Sequence, residues 1–387
     1  MDTPRPAPIS VAEQDLDDLR TRLARTRWPE AATAPGWQQG TPLGWLRSMC
    51  DYWARGYDWR RAEAELNRWE PSVVEVDGLD IHLLRARSPR ADALPLVMTH
   101  GWPGSVFEFL DVLGPLSDPD GHGAPGAPAF EVVCPSLPGY AWSGKPRQAG
   151  WGVERIADAW HEIMTGLGYG AYAAQGGDWG AAVTTALGQS APEGLVGVHV
   201  NMAIVGPDRT TTGDLTAEEE AALTAAAEHE RSGTGYSRVQ STRPQTVGYG
   251  LVDSPVGLAG WVLEKFWAWT DSGDDPCEAI RRDRLLDNVM AYWLPAAGAS
   301  SARLYWESFG QRRPGEVKVP AAVSVFPAEI FRPSRRWAQR RYPDLRHWGV
   351  LPRGGHFAAM EEPDLFVAEL RAAFAAMGAF GRSAGAS

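Results

Sequence analysis

Hydrophobic residues recur at helical spacing in the first part of the chain. In the run over residues 10–28, Leu16, Leu19 and Leu23 lie three or four positions apart and share one face of a helix. Ser10 precedes this run and is a candidate N-cap. A second amphipathic run follows a Gly/Pro-rich break and covers residues 41–69. We therefore predict a helical N-terminal segment over residues 1–71, and its lack of clustered catalytic residue types indicates a scaffold.

From residue 72 the pattern changes to short apolar runs. They read VVEVDGLDIHLLRAR, LPLVMTH, AFEVVCPSLPGY, AYAAQGG and LVGVHVNM. Helical stretches such as VERIADAWHEIMTGLG separate some of them. This alternation predicts an α/β fold with a mostly parallel central sheet, whose first part covers residues 72–202.

The strand pattern breaks after Met202. Residues 203–316 are helical and rich in tryptophan, and strand character returns in VKVPAAVSVFP, so that residues 317–387 form the second part of the core. A helical block between two strands predicts a lid over the carboxyl ends of the strands, where open α/β sheets bind ligands.

Composition excludes several classes of function. The 387 residues carry a net charge of -11, and no run of Lys or Arg marks a surface for nucleic acid or an anionic membrane. The N-terminus does not resemble a signal peptide, and no apolar run reaches the roughly 20 residues of a membrane span, which predicts a soluble, cytoplasmic protein. Cys50, Cys134 and Cys277 are too widely spaced for a disulfide framework or a thiolate zinc site. The 18 tryptophans favour an aromatic pocket for an apolar ligand.

The stretch AAQGGDWGAA, residues 173–182, has the pattern of a nucleophile elbow. Gly176 and Gly180 flank Asp178, which stands where serine is usual, after a predicted strand and before a helical run. This is the setting of the nucleophile in the α/β-hydrolase fold. An aspartate in a glycine-rich turn can also be a turn former or a helix cap, so that other motifs must decide.

A second motif, THGWPGS, follows the predicted strand LPLVMTH. The turn formed by His100, Gly101 and Pro103 can aim the backbone N–H of Trp102 at the space above the elbow. The N–H of Trp179 would then supply the second donor of an oxyanion hole. The alternative is a plain turn between a strand and a loop.

His356 stands near the C-terminus, after two glycines in PRGGHF. A lone histidine is often structural, but this one follows the elbow in the chain order of the fold: nucleophile, acid, histidine. Glu329, in FPAEIF, follows the strand AAVSVF and is our choice of acid. The competing carboxylates are Asp344, in the connection before the next strand, and Glu361 and Glu362, which follow the histidine where we expect them to be solvated.

An aspartate nucleophile predicts displacement at a saturated carbon followed by hydrolysis. Serine would leave an ether that water does not readily cleave, whereas Asp178 leaves an ester. Water deprotonated by His356, which Glu329 orients, can then attack the ester carbonyl while the oxyanion hole holds the tetrahedral charge.

The leaving group depends on whether an acid is present. A halide needs only weak N–H donors, whereas an epoxide oxygen leaves as a basic alkoxide that needs a proton. Tyrosine, with a usual pKa of about 10, is neutral at pH 7 and can supply it. The predicted lid contains Tyr236, Tyr249, Tyr292 and Tyr305. Their spacing does not show which of them donate the proton, and each can instead be part of the core or of the pocket wall.

These residues resemble the epoxide hydrolases of the microsomal type with their N-terminal epoxide-hydrolase segment. The similarity covers nearly the whole chain, including DLDDLRTRLARTRWPE, DYWARGYDWR, HGWPGS, PSLPGYAWSGKP, GGDWGA, STRPQTVGYGLVDSPVGLAGWVLEKF, FPAEIFRPSRRWA and GGHFAAMEEP. The resemblance implies that Asp178 is the nucleophile, His356 the base and Glu329 its orienting partner. It also selects Tyr236 and Tyr305 as proton donors, because GYSRVQSTRPQT and ARLYWES match the segments that carry them.

The resemblance implies further properties. The N-terminal segment would wrap around the core and lid, and the protein would form a homodimer. The sequence departs from the microsomal enzymes in one respect, the lack of their anchoring N-terminal helix, so we expect no membrane association. The expected substrates are water and a hydrophobic, aryl or bulky epoxide, in detoxification or in the tailoring of natural products such as enediyne antibiotics. No metal-ligand spacing or phosphate loop indicates a cofactor. The alternatives are a haloalkane dehalogenase, which lacks the two tyrosines and the long N-terminal segment, and a non-catalytic small-ligand binder, which loss of a triad member would signal.

Overall fold

A computed structural model describes residues 3–206, 213–311 and 315–380. Within them, nine strands form one sheet in the order β1-β2-β3-β5-β4-β6-β7-β8-β9. The strands are β1 (Arg5–Pro6), β2 (Ser72–Val76), β3 (Leu79–Ala86), β4 (Leu94–Thr99), β5 (Phe130–Pro135), β6 (Tyr172–Gly176), β7 (Leu195–Val200), β8 (Ala321–Val325) and β9 (Leu345–Val350). From β5 to β9 all neighbours are parallel, and the first strands pair antiparallel. The expected α/β-hydrolase fold is confirmed.

Fifteen α-helices are described. They are α1 (Glu13–Ala24), α2 (Leu43–Arg55), α3 (Trp59–Asn67), α4 (Leu110–Ser117), α5 (Val153–Gly166), α6 (Asp178–Ser190), α7 (Ala217–Glu228), α8 (Gly235–Thr242), α9 (Pro244–Asp253), α10 (Pro255–Trp269), α11 (Arg282–Trp293), α12 (Gly298–Ser308), α13 (Arg335–Arg341), α14 (Ala358–Glu361) and α15 (Pro363–Ala376). No described helix is long and apolar enough to span a bilayer. Every residue of β4 and β7 is buried, which explains their continuous apolar sequences.

The first helix does not begin where its sequence indicates. Ser10 is a candidate cap, but α1 starts at Glu13, and Ala12 before it makes no side-chain cap bond. The backbone N–H and C=O of Ile9 both bond to the Asn67 side chain at 2.8 Å. This long-range contact holds the stretch before α1 against α3, so the predicted cap is wrong.

Helices α7–α12 form an insertion between β7 and β8, and the N-terminal helices pack against it. Arg284 of α11 is buried, and its Nη2 lies 2.8 Å from Glu65 of α3 and 2.9 Å from Asp111 of α4. Asp287 of α11 pairs with Arg61 of α3 at 2.5 Å. This ionic cluster joins the N-terminal helices, the core and the insertion, which indicates that the first segment is not packed as a separate body. The boundaries of the four predicted segments remain predictions, and the segments include residues outside the described ranges. They are 1–71, 72–202, 203–316 and 317–387.

Candidate active site

Asp178 lies at the sharp turn between β6 and α6. Its φ of 50° is in the left-handed region, which is strained for a residue with a side chain. The flanking glycines have no room for a Cβ: one on Gly180 would lie 1.9 Å from the Thr99 carbonyl oxygen, and one on Gly176 would lie 2.2 Å from the backbone of Gly180. The spacing of the two glycines therefore follows from the close packing that this turn requires.

The turn after β4 brings a backbone donor to the Asp178 carboxylate. The N–H of Trp102 donates to Asp178 Oδ1 at 2.8 Å. A Cβ on Gly101 would lie 2.2 Å from the same oxygen, so only glycine permits this approach. Trp179 is in the first turn of α6, where a backbone N–H has no acceptor within the helix. The two N–H groups expected to form an oxyanion hole therefore belong to the two turns that meet at Asp178.

His100 holds the donor turn in place. Its Nε2 accepts a hydrogen bond from the N–H of Leu137 at 3.2 Å, so the proton of the ring must be on Nδ1. That Nδ1 donates to the carbonyl oxygen of Gly101 at 2.9 Å. Burial lowers the pKa of His100 to about 4, which keeps the ring neutral. The geometry therefore gives His100 a positioning contact one residue before Trp102.

His356 lies between two carboxylates. Its Nδ1 is 2.7 Å from Glu329 Oε1, and its Nε2 is 3.5 Å from Asp178 Oδ2. Glu329 Oε1 also accepts the N–H of Ile330 at 2.6 Å, and the N–H of His356 donates to the carbonyl oxygen of Trp269 at 2.9 Å. The side chains of His356 and Asp178 are 3% and 13% exposed, which leaves the carboxylate the more accessible of the two.

The two carboxylates control the protonation of the imidazole. Burial acts to lower the pKa of His356, but the charges and hydrogen bonds of Glu329 and Asp178 outweigh it and raise the pKa well above its usual value. When the ring is protonated, the imidazolium of His356 stabilises the carboxylates of Glu329 and Asp178. Since part of the rise comes from Asp178, any reaction that removes the charge of Asp178 must lower the pKa of His356 and favour the neutral imidazole.

Two of the four candidate tyrosines face this site. The Tyr236 ring stacks on that of Trp102 with centroids 4.9 Å apart, and the Tyr305 ring meets Trp102 edge-on at 5.8 Å. The two tyrosine rings also meet each other edge-on, with centroids 5.7 Å apart. Tyr249 is 69% exposed, and the hydroxyl of Tyr292 donates to a backbone carbonyl oxygen. The structure thus brings together the pair that sequence similarity selects.

The tyrosine hydroxyls remain protonated beside the carboxylate. Burial raises the pKa of Tyr236 and of Tyr305 above the usual value, and the negative charge of Asp178 raises both further. Each side chain is less than one-tenth exposed. Neutral hydroxyl groups are therefore available as proton donors over the whole neutral pH range.

The carboxylates that competed with Glu329 have other partners. Asp344 and Glu362 pair with arginines. Glu361 is not solvated as expected, because it accepts the N–H groups of Asp271 and Phe357, and burial raises its pKa to about 7. That expectation is wrong because both carboxylate oxygens of Glu361 accept backbone N–H groups.

Glu108 is a site residue that sequence reasoning missed. A Cβ on Gly104 would lie 1.5 Å from Glu108 Oε1, so its carboxyl group occupies the space beside the donor turn. Burial raises the pKa of Glu108 to about 8, while His356 acts to lower it and Asp178 to raise it. The available signal was a single acid in the apolar stretch SVFEFL.

Lys265 and Trp269 of α10 also went unnoticed. The Lys265 ammonium lies 4.6 Å from the ring centroid of Tyr236 and 5.7 Å from that of Trp269. Trp269 in turn meets the His356 ring at 5.1 Å. The signal for Lys265 was its rarity, because the chain has only three lysines beside many arginines. Among the described residues, no three His, Cys, Asp or Glu side chains are grouped as metal ligands.

Comparison with known proteins decides the family. Residues 4–109 match the family model of the epoxide hydrolase N terminus, and residues 95–245 match that of the alpha/beta hydrolase fold. The chain is 51% identical to a candidate epoxide hydrolase of Stigmatella aurantiaca over 95% of its own length and 84% of that protein. The chain belongs to the epoxide hydrolase family. This epoxide hydrolase is also 34% identical to epoxide hydrolase 1 of Oryctolagus cuniculus, over 95% of its own length and 87% of that protein.

A solved structure supports the same assignment. The juvenile hormone epoxide hydrolase of the silkworm Bombyx mori superposes with a TM-score of 0.89 at 29% identity, over 97% of this chain and 95% of that one. The protein is thus an enzyme whose substrates are an epoxide and water.

Proposed function

We propose that this epoxide hydrolase works through a covalent ester on Asp178. Oδ1 of Asp178 accepts the N–H of Trp102, so the attack on an epoxide carbon falls to Oδ2, which lies 3.5 Å from Nε2 of His356. The new C–O bond forms as the ring C–O bond breaks, and the alkoxide takes a proton from Tyr236 or Tyr305. One observation carries this proposal: the buried rings of Tyr236 and Tyr305 both contact Trp102, and the N–H of Trp102 binds the Asp178 carboxylate.

The second step hydrolyses the ester. Once Asp178 is alkylated its negative charge is gone, and with it part of the cause that raises the pKa of His356. The imidazolium first gives its proton to the tyrosinate, and the neutral imidazole then takes a proton from water, while Glu329 at 2.7 Å stabilises the imidazolium that forms again. The hydroxide attacks the ester carbonyl, and the N–H groups of Trp102 and Trp179 stabilise the tetrahedral oxyanion. Collapse of this intermediate releases the vicinal diol and regenerates the carboxylate.

The tyrosine pair gives a direct test of epoxide opening. Tyr236→Phe and Tyr305→Phe should each lower kcat/KM for styrene oxide by about tenfold, and the double variant by about 1,000-fold, because general acids contribute roughly 10²–10⁴. Tyr249→Phe is the matched control, since this tyrosine is in the same insertion but 69% exposed. A double variant as fast as the control would exclude the two hydroxyls as proton donors.

We further propose that the substrate is a hydrophobic, aryl or otherwise bulky epoxide. A cavity of about 1200 Å³ reaches Tyr236, Trp269 and Glu329, and tryptophans of the insertion and of the N-terminal segment form part of its wall. The silkworm relative is named for juvenile hormone, which supports a substrate that fills such a cavity.

Relative rates test the substrate class. Styrene oxide is expected to have a higher kcat/KM than propylene oxide, because its ring gains apolar contacts with the tryptophan walls. The comparison is made on one enzyme preparation under identical conditions. Faster turnover of propylene oxide would contradict the proposal.

The remaining proposals concern organisation and biological role. We propose that residues 203–316 act as the lid and residues 1–71 as a wrapping segment, and the ionic cluster of Arg284 with Glu65 and Asp111 supports both. A homodimer and a role in detoxification or in natural-product biosynthesis rest on the family resemblance.

A further inference from the structure

A second cavity lies on the other side of α12 from the active site. It has a volume of about 360 Å³ and is bounded by the core loop after β5 and by the helices α8, α9 and α12. Arg303 and Trp306 of α12 line it, whereas Tyr305 between them contacts Trp102 and Trp179. Helix α12 therefore separates this cavity from the catalytic residues.

The wall of this cavity is basic in an acidic protein. Arg147, Arg243 and Arg303 line it, and none of the three forms an ion pair with a described carboxylate. The carboxylate in the wall, Glu307, is held at 3.0 Å by the backbone N–H of Gly150. The net charge of the chain is -11, and many of its other arginines have acidic partners. Three guanidinium groups around one opening therefore form a local positive potential.

Two further features concern the positive charge of this wall. The Nε of Arg303 is buried and has no hydrogen-bond partner among the described residues, and an unsatisfied buried donor is unfavourable. Burial lowers the pKa of Lys145, which lies in the loop after β5, and the positive charge of Arg303 lowers it further. A negative charge in the cavity would relieve the repulsion between Arg303 and Lys145.

The rest of the wall is suited to an organic group. Trp151 is buried, whereas the Trp306 side chain is 54% exposed, one of the largest exposed apolar surfaces in the described chain. Leu304, Pro138 and Pro244 add apolar surface beside them. The volume is at the lower end of the range for small-molecule sites. Charge and apolar surface thus occur together, as recognition of a compact organic anion requires.

We propose that this cavity is a binding site for a small organic anion, a carboxylate or a phosphate monoester, separate from the catalytic site. The charged group meets the three guanidinium groups, whose planar forks suit both carboxylate and phosphate oxygens. The apolar part lies against the two tryptophans. Helices α8 and α12, which form part of the wall, also carry Tyr236 and Tyr305, so the ligand would contact the two helices that hold the proposed proton donors.

Calorimetric titration tests the site with phenyl phosphate and benzoate as probes and neutral benzyl alcohol as the reference. At least one anion should bind in one-to-one ratio and more tightly than the alcohol. Arg303→Gln should weaken that binding at least about tenfold, because it removes charge-assisted hydrogen bonds. Arg87→Gln is the matched control: it removes the same charge from a surface pair with Glu70 outside the cavity. If Arg303→Gln does not fold, the double variant Arg147→Gln and Arg243→Gln replaces it.

Three results would overturn the proposal. The first is no binding of either anion at millimolar concentration. The second is an equal loss of binding in Arg303→Gln and Arg87→Gln, which would indicate general electrostatic attraction. The third is displacement of the anion by phenylethanediol, the diol of styrene oxide, which would place the anion in the catalytic site. Retained binding in the presence of the diol supports two separate sites.

Discussion

Replacing Asp178 by Asn is expected to lower the turnover of styrene oxide by at least about 10,000-fold, because the amide lacks the anionic oxygen that forms the ester. The same change should alter His356. In the wild-type enzyme the Asp178 carboxylate, with Oδ2 3.5 Å from Nε2, helps to raise the pKa of the imidazole. Without that charge the pKa must fall, so the ring loses its proton at a lower pH than in the wild type.

Both effects of Asp178→Asn are measurable on one preparation. Steady-state assays give the turnover, and nitrogen NMR of the imidazole gives the pKa of His356. Mass spectrometry confirms that the amide has not been hydrolysed back to the acid. Asp344→Asn, in a surface pair with Arg346, is the matched control. An unchanged or higher pKa of His356 in Asp178→Asn would contradict the proposed coupling between the two residues.

Replacing His356 by Gln is expected to stop the reaction halfway. Opening of the epoxide needs the Asp178 carboxylate and the tyrosines, whereas hydrolysis of the ester needs the base. Steady-state turnover should fall by about 1,000-fold or more. An alkylated enzyme should accumulate, because its ester has no activated water. The loss of an imidazole that stabilises the carboxylate also slows alkylation, but by less.

The trapped ester is detected by mass spectrometry of the intact protein after brief exposure to styrene oxide. One equivalent of substrate mass should be added, and digestion should place it on the peptide that contains Asp178. His347→Gln is a matched control, since His347 pairs with Glu369 rather than with the site. Loss of turnover in His356→Gln without any adduct would argue against a base role that is confined to the second step.

The elbow was predictable from sequence because its constraints are local. Gly176 and Gly180 are needed where a Cβ would lie within about 2 Å of neighbouring backbone, and that requirement shows directly in the spacing of the glycines. The central strands were equally clear, since burial on both faces makes their sequences continuously apolar. The chain order of Asp178, Glu329 and His356 completed the interpretation.

Features that depend on distant contacts were not predictable in this way. Ser10 has the sequence of a cap, but Asn67 holds the backbone beside it in another conformation. The four tyrosines of the insertion look alike along the chain, and only burial and the position of Trp102 separate them. Glu108 stands alone in an apolar stretch, but only the fold shows that its carboxyl group lies beside Gly104 in the site.

A single turnover in ¹⁸O-labelled water tests the central claim most directly. Enzyme in excess over styrene oxide forms the diol once, and mass spectrometry measures the label in that diol. The ester mechanism requires that the first diol carry unlabelled oxygen from Asp178, that the label enter the Asp178 carboxylate, and that Asp178→Ala form no diol. A first diol that is fully labelled would show that water attacks the epoxide directly, and it would contradict the covalent role of Asp178.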